Sequence, residues 1–234
     1  MLVLRAAIPN AFTLSNLLCG FLSILFAANG DYRNAGILVL IGMMLDSMDG
    51  RIARMLKVQS EMGKELDSLA DIVTFGVAPA VLVYYYSFAI YGFTGMFVAG
   101  LFPLFGAYRL ARFNINASKS SMNYFRGVPI TAAGGILTLL TLIHDWIPNI
   151  VISVSFTALC FLMVSRIRIP SLKSIPLPKY GTLVTVFLGI IIILIFKTKH
   201  QEFPYFIYIA IPLYIAYISY QFMKNKHLKQ DKLN

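Results

Sequence analysis

Long apolar segments recur from one end of the chain to the other, with short polar stretches between them. A membrane-spanning helix needs about 20 mostly apolar residues, and about eight segments approach that length. They fall at residues 12–28, 35–55, 63–89, 94–113, 129–144, 147–164, 182–196 and 205–223, of which the fifth and seventh are the shortest. The pattern predicts an all-α fold, a polytopic bundle of about eight transmembrane helices that forms a single domain over residues 1–234.

The composition supports a membrane protein. Of the 234 residues, 58% are hydrophobic and only 13% are charged, far from the balance found in soluble domains. The net charge of +10 comes from basic residues spread between the apolar segments, so nucleic acid is not expected as a partner. Anionic membrane lipids and membrane topology account for that charge better.

The positions of the basic residues predict the orientation. If the N-terminus is cytoplasmic, the cytoplasmic segments hold every Lys and Arg except Arg33, Lys197 and Lys199. Because cytoplasmic loops carry the excess of basic residues, both termini are predicted to be cytoplasmic, with residues 224–234 as a basic tail. The protein is expected in the cell membrane, with its active site facing the cytoplasm.

Four aspartates interrupt the apolar pattern. Asp46 and Asp49 are three residues apart, and Asp67 and Asp71 are four apart, so each pair shares one face of a helix. The two pairs would face each other across a helical hairpin in the cytoplasmic half of the bilayer. Four like charges repel unless cations neutralise them, and Mg²⁺ or Mn²⁺ favours carboxylate oxygens. The spacing therefore predicts a metal cluster.

Two other interpretations are open for these acids. They could be tolerated polar residues of a helix bundle, but each charge within the membrane costs about 2.5 to 3.5 kcal/mol. They could also serve a carboxylate-based membrane cation transporter. Glycines and arginines interleaved with the acids favour a phosphate ligand instead, because aspartate-bound metals can clamp a pyrophosphate for displacement at phosphorus.

The residues around the acids fit a phosphate ligand. Gly50 and Gly63 would let a nucleotide approach the backbone, or would simply allow close helix packing. Arg54 can pair with phosphate. Ser60 is predicted to cap the third helix, whose start offers free N–H groups to an anion.

Residues 46–71 fit the signature D-x2-D-G-x2-A-R-x8-G-x3-D-x3-D, and at this stretch the chain resembles the CDP-alcohol phosphotransferases, membrane enzymes that make phospholipids. The resemblance implies two divalent metal ions, Mg²⁺ or Mn²⁺. Asp46 and Asp67 would bridge them, while Asp49 and Asp71 would each complete one site. Asp71 would also be the proton acceptor for the alcohol.

The resemblance also implies contacts with the CDP-lipid. Gly50, Arg54 and Ser60 match positions that contact the CDP moiety, and Asn10-x-x-Thr13 resembles a second nucleotide-contacting stretch. With Gly63, these residues form the predicted CDP-lipid site.

Four further stretches resemble the integral-membrane phosphatidylserine synthase branch of that family. They are Ile8-Pro-Asn10, Arg109-Leu-Ala-Arg112-Phe-Asn114, Phe125-Arg-Gly-Val-Pro129 and Val164-Ser-Arg-Ile-Arg168. The likeness covers residues 1–180, and residues 181–223 add further transmembrane helices.

This branch implies transfer of a phosphatidyl group from CDP-diacylglycerol or CDP-archaeol to L-serine, with release of CMP. Glycerol phosphate or an inositol phosphate is the alternative acceptor. Arg109 and Arg112 could bind the serine carboxylate or anchor the cytoplasmic helix end. A homodimer is expected, with membrane lipids around it and the lipid tails of the substrate between its helices.

Overall fold

The structure is a computed structural model that describes residues 2–58, 60–117, 124–165 and 168–170. Within these residues the chain is almost entirely helical, which confirms the predicted all-α fold. Its α-helices are α1 (Leu2–Ala28), α2 (Tyr32–Leu56), α3 (Glu61–Asp71), α4 (Ala78–Val83), α5 (Gly92–Ala117), α6 (Ile130–Leu142) and α7 (Asn149–Val164).

The first six predicted apolar segments all coincide with helical parts of the structure. Segments 182–196 and 205–223 and the basic tail 224–234 lie outside the described residues. One feature was not predicted: strand β1 (Tyr124–Arg126) pairs antiparallel with β2 (Arg168–Pro170). Strand β1 overlaps the stretch at residues 125–129 of the family resemblance, and β2 begins at the last residue of the stretch at residues 164–168.

Two helical stretches, Ala7–Ala28 and Glu61–Ile115, are long and apolar enough to cross a membrane. Helix α2 has 25 residues, but its second half carries charged residues of the signature. Helices α6 and α7 are apolar and have only 13 and 16 residues. At 1.5 Å per residue they are about 20 and 24 Å long, shorter than the ~30 Å hydrocarbon core.

The third predicted segment is less regular than expected. It consists of α3, a π-helical stretch (Ile72–Val77), α4, a second π-helical stretch (Tyr84–Phe88) and a 3₁₀ turn (Ala89–Tyr91). Pro79 lacks an N–H group and cannot bond to the Phe75 carbonyl four residues earlier, which favours a wider turn there. The Phe75 carbonyl lies so close to Gly134 of α6 that a Cβ at Gly134 would collide with it.

The stretch Ile72–Val77 is central to the packing. Phe75 is fully buried, as are Phe102 of α5 and Phe156 of α7. On the other side, a Cβ at Gly20 would lie 2.7 Å from the Thr74 Cα, and one at Gly42 would lie 2.7 Å from the Thr74 Cγ2. Small residues therefore let α1 and α2 pack tightly against the residues that directly follow Asp71.

Candidate active site

A sharp turn between α2 and α3 places the two acidic pairs opposite each other. Lys57 ends α2 in the left-handed conformation, with φ at 55°, and its N–H donates to the carbonyls of Ala53 and Arg54. The Ser60 hydroxyl accepts a 3.0 Å hydrogen bond from the Gly63 N–H, which confirms the predicted N-cap of α3. Both ends of the turn are thus fixed by capping.

The two acidic pairs lie in the second half of α2 and the second half of α3. Ligand oxygens of Asp46, Asp49 and Asp67 all lie within 4.8 Å of one another. Asp46 is also close enough to Asp67 and Asp71 for their carboxyl groups to interact. Asp49 and Asp71 are only 5% and 9% exposed, and Asp46 and Asp67 are half-buried, so the cluster is largely withdrawn from solvent.

The carboxylate oxygens fit a divalent metal. Asp67 Oδ1 and Asp71 Oδ1 are buried and have no hydrogen-bond partner among the described residues. Buried carboxylate oxygens without donors are unfavourable unless a cation binds them. An all-oxygen set of this kind is what Mg²⁺ and Mn²⁺ prefer. The predicted acidic cluster is therefore present, and its chemistry suits metal ions.

Helix α1 contributes directly to the cluster. The Thr13 hydroxyl donates a 2.7 Å hydrogen bond to Asp49 Oδ2, so Thr13, predicted to contact the nucleotide, also orients a carboxylate. Three residues further along α1, the Asn16 side chain is fully buried. Its backbone carbonyl accepts a 2.9 Å hydrogen bond from the Thr74 hydroxyl.

The other predicted CDP-lipid residues lie near the turn. Gly50 and Arg54 are exposed on α2, and a Cβ at Gly50 would have no described atom within 4 Å. Close packing therefore does not account for Gly50. At Gly63 a Cβ would lie 3.2 Å from Ser60 Oγ and 3.5 Å from Asn10 Oδ1, which groups these three residues at the start of α3.

Arg109 of α5 faces the acidic cluster. It is 6% exposed and close enough to Asp71 for their charges to interact. Its guanidinium lies 5.3 Å from the centre of the Phe113 ring. A buried arginine within charge-interaction range of a buried carboxylate can hold an anionic group in the same region.

Arg112 has different partners. Its Nη1 donates a 3.0 Å hydrogen bond to the Val164 carbonyl, and its Nη2 donates a 3.3 Å bond to the Ser165 carbonyl. These carbonyls lie at the C-terminal end of α7, where a cation is favourable. The two arginines, treated together from their spacing, therefore lie in different surroundings.

Two polar contacts near the site were missed by the sequence reasoning. Thr13 bonds to Asp49, and Asn114 of α5 donates a 3.0 Å hydrogen bond to the Ser68 hydroxyl on α3. The sequence does contain a signal for the contact between Thr13 and Asp49. Asn10, Thr13 and Asn16 recur every three residues on one side of an apolar helix, which indicates a polar face toward the acids. No comparable signal links Ser68 to Asn114.

The fold and the site define a class: a helical membrane protein whose buried carboxylates suit divalent metals. The chain belongs to the CDP-alcohol phosphatidyltransferase family, whose sequence model matches residues 6–164.

Named relatives add detail. A CDP-diacylglycerol--serine O-phosphatidyltransferase of Helicobacter pylori is 39% identical over 192 residues, which cover 79% of this chain and 81% of that protein. One of Bacillus subtilis is 39% identical over 166 residues, covering 71% of this chain and 91% of that protein. The archaetidylserine synthase of Methanothermobacter thermautotrophicus is 33% identical over 168 residues, covering 70% of each chain.

Proposed function

We propose that this protein transfers the phosphatidyl group of a CDP-diradylglycerol to L-serine, giving phosphatidylserine, or its ether-lipid analogue, and CMP. The observation that carries this proposal is the likeness to relatives named for this reaction with serine, at 39% identity over most of both chains. The buried carboxylate cluster supplies the chemistry that such a transfer needs.

Asp46, Asp49, Asp67 and Asp71 are the proposed ligands of two divalent metal ions, Mg²⁺ or Mn²⁺. When bound, such ions neutralise the charge on the pyrophosphate and stabilise the attacking and leaving oxygens. Asp46, which interacts with both Asp67 and Asp71, would hold an ion together with each of them.

Asp71 is the proposed proton acceptor. The serine hydroxyl oxygen forms a bond to the phosphorus that carries the diradylglycerol, and the bond from that phosphorus to the CMP oxygen breaks. The hydroxyl proton passes to the Asp71 carboxylate, and CMP leaves with the electron pair of the broken bond. The buried position of Asp71, within range of the charge of Arg109, supports this role, because a substrate anion held by Arg109 would then lie near the base.

The CDP-lipid is proposed to lie along the exposed side of the α2–α3 turn. Gly50 leaves the backbone of α2 accessible, and Arg54, one turn later, can pair with a phosphate oxygen. Asn10, Thr13, Ser60 and Gly63 complete this site. Its position beside the start of α3 supports binding of an anion there.

The serine carboxylate is proposed to bind at the arginines of α5. Arg109 is the better placed of the two, since it is buried and near enough to Asp71 for their charges to interact. Arg112 contacts the end of α7, and its contribution to serine binding would come through the position of α5.

The assay that tests this function uses purified protein in nanodiscs with CDP-diacylglycerol and labelled L-serine. Release of CMP and formation of phosphatidylserine are expected with Mg²⁺ or Mn²⁺, and a chelator abolishes both until metal is restored. The Asp49→Asn variant is the matched control. Equal turnover with glycerol phosphate, inositol phosphate or ethanolamine would remove the serine assignment. If no CMP is released with serine or with any of these three acceptors, the transferase assignment fails.

The proposed topology is a single domain of eight transmembrane helices in the cell membrane, with both termini and the active site cytoplasmic, assembled as a homodimer. The distribution of basic residues supports the orientation. Single cysteines at Glu61→Cys and Gln230→Cys should react only with reagents on the cytoplasmic side, and Phe93→Cys only from outside. Labelling of Glu61→Cys from outside would reverse the orientation.

A further inference from the structure

Asn16 of α1 is a buried polar side chain whose hydrogen bonds are not accounted for. It is 0% exposed, and neither Oδ1 nor Nδ2 has a hydrogen-bond partner among the described residues. Burying an amide without partners is unfavourable, and buried polar groups of folded proteins nearly always have them. A buried amide without partners is therefore a candidate to form its hydrogen bonds when a ligand occupies the neighbouring site.

Asn16 lies one helical turn from the carboxylate cluster. On its own helix, Thr13 is three residues earlier and donates to Asp49. On α2, a Cβ at Gly42 would lie 2.7 Å from Asn16 Oδ1, and Gly42 precedes Asp46 by four residues. Each spacing corresponds to about one turn, or roughly 5 Å.

Thr74, the third neighbour of Asn16, also lies one helical turn from an aspartate of the cluster. Thr74 donates to the Asn16 carbonyl, and Thr74 follows Asp71 by three residues. The three contacts therefore place Asn16 at the floor of the cluster, on the side that leads into the bundle.

Helical side chains generally lean toward the N-terminus of their helix, and in α1 that direction leads from Asn16 to Thr13. A lean of this kind would bring the amide toward the end of α1 at which Thr13 meets Asp49.

The cluster offers groups complementary to this amide. Asp67 Oδ1 and Asp71 Oδ1 are buried acceptors without a partner among the described residues, and Asn16 Nδ2 is a buried donor in the same condition. Metal ligands are commonly held by a second set of hydrogen bonds that fixes their orientation. Asn16 is placed to supply one from the floor of the site.

We propose that Asn16 is a positioning residue of the metal centre, whose side-chain amide donates a hydrogen bond to the Asp71 carboxylate when the site binds its metal ions. This inference rests on the proposed function and extends it to a residue outside the signature. A purely structural role predicts the opposite behaviour, since an apolar side chain of the same shape would fill this buried position better than an unpaired amide.

The test compares Asn16→Leu, which keeps the branched shape, with Ser23→Ala. Ser23 is buried on the same helix two turns further on and donates to the Ala35 carbonyl, so it controls for the loss of a buried polar group away from the cluster. Mn²⁺ affinity is measured by electron paramagnetic resonance of the purified protein without substrates. Thermal unfolding is followed with and without Mn²⁺, and kcat and KM are measured separately.

Asn16→Leu should bind Mn²⁺ about 10- to 100-fold more weakly, as expected for loss of a group that orients a metal ligand, while its unfolding temperature without metal equals or exceeds that of the native chain. Ser23→Ala should bind Mn²⁺ normally. If Asn16→Leu does not fold, Asn16→Ala takes its place with the same expected loss of affinity.

Native Mn²⁺ affinity in the Asn16 variants would overturn the inference for Asn16 while leaving the proposed function intact. If the native chain itself neither binds Mn²⁺ nor forms phosphatidylserine, it is the proposed function that fails.

Discussion

Buried polar side chains are satisfied in one region of this protein and unsatisfied in another. Thr138 and Thr141 of α6 are buried, and each donates a 2.8 Å hydrogen bond to the carbonyl four residues earlier. Around the carboxylates, by contrast, atoms of Asn16, Asp67, Asp71 and Arg109 are buried without a hydrogen-bond partner among the described residues. Ser87, in the second π-helical stretch, is the exception away from the site.

The bonded threonines of α6 contribute to stability, whereas the unpaired groups around the carboxylates indicate a functional site. A polar group bonded within its own helix contributes to the fold or costs little, whereas unpaired groups gathered in one place reduce stability. Proteins retain such groups where a ligand completes them, and stability is often lower at such sites. The carboxylate region is thus organised for binding, and α6 for packing.

The largest expected effect comes from removing one charge from the cluster. Asp46→Asn, Asp49→Asn, Asp67→Asn and Asp71→Asn should each lower kcat by about 100-fold or more, the range for lost catalytic groups. Each variant should remain folded, because amide replaces carboxylate without a change in shape and mutual repulsion falls. Turnover assays and thermal unfolding without metal check both parts, and near-native turnover would remove that aspartate from the site.

An intermediate effect is expected at Arg109 and Arg112. These residues are one helical turn apart, but Arg109 has an atom near the carboxylates with no hydrogen-bond partner among the described residues, whereas Arg112 bonds to carbonyls at the end of α7. Arg109→Lys should raise the KM for serine about tenfold and leave the KM for the CDP-lipid nearly unchanged, because a bidentate charged contact to one substrate is lost. Arg112→Lys should instead lower the unfolding temperature, since its bonds to the end of α7 are lost.

Steady-state kinetics with each substrate varied in turn, together with thermal unfolding, separate these outcomes. Equal serine KM values in the native chain and in Arg109→Lys would exclude Arg109 from the acceptor site.

The smallest effect is expected in the satisfied region. Thr138→Val keeps the shape of the side chain and removes its hydrogen bond to the Gly134 carbonyl, which should cost roughly 0.5 to 1.5 kcal/mol of unfolding free energy. Both KM values and kcat should stay native. A large change in kinetics without a change in stability would show that the two regions are not independent.

Much of the fold and the acidic cluster could be predicted from the sequence because both depend on spacing. Apolar length predicts where helices lie, and the intervals of three and four residues between Asp46, Asp49, Asp67 and Asp71 are helical intervals. The Ser60 cap followed from the same local rules. These features depend on residues near one another in the chain.

The remaining features depend on contacts between distant residues. The spacing of Arg109 and Arg112 fits one shared helix face. In the structure, however, Arg109 interacts with Asp71 of α3 and Arg112 bonds to Val164 of α7. The π-helical stretch after Asp71 is favoured by Pro79, which is nearby in the sequence, and it packs closely against Gly134, which is not. The bond between Thr13 and Asp49 likewise joins residues that are far apart in the sequence.

In the proposed topology, the length of α7 would link this enzyme to the thickness of the membrane around it. Ile150, Val154 and Phe161 are exposed on this helix, which spans about 24 Å and therefore falls about 6 Å short of an average hydrocarbon core. In the proposed topology α7 spans the membrane, and lipids beside it would then thin to meet it, at a cost of fractions of a kcal/mol per ångström. With that topology, hydrophobic mismatch would make the stability of the fold depend on bilayer thickness, a property that phospholipid synthesis itself helps to set.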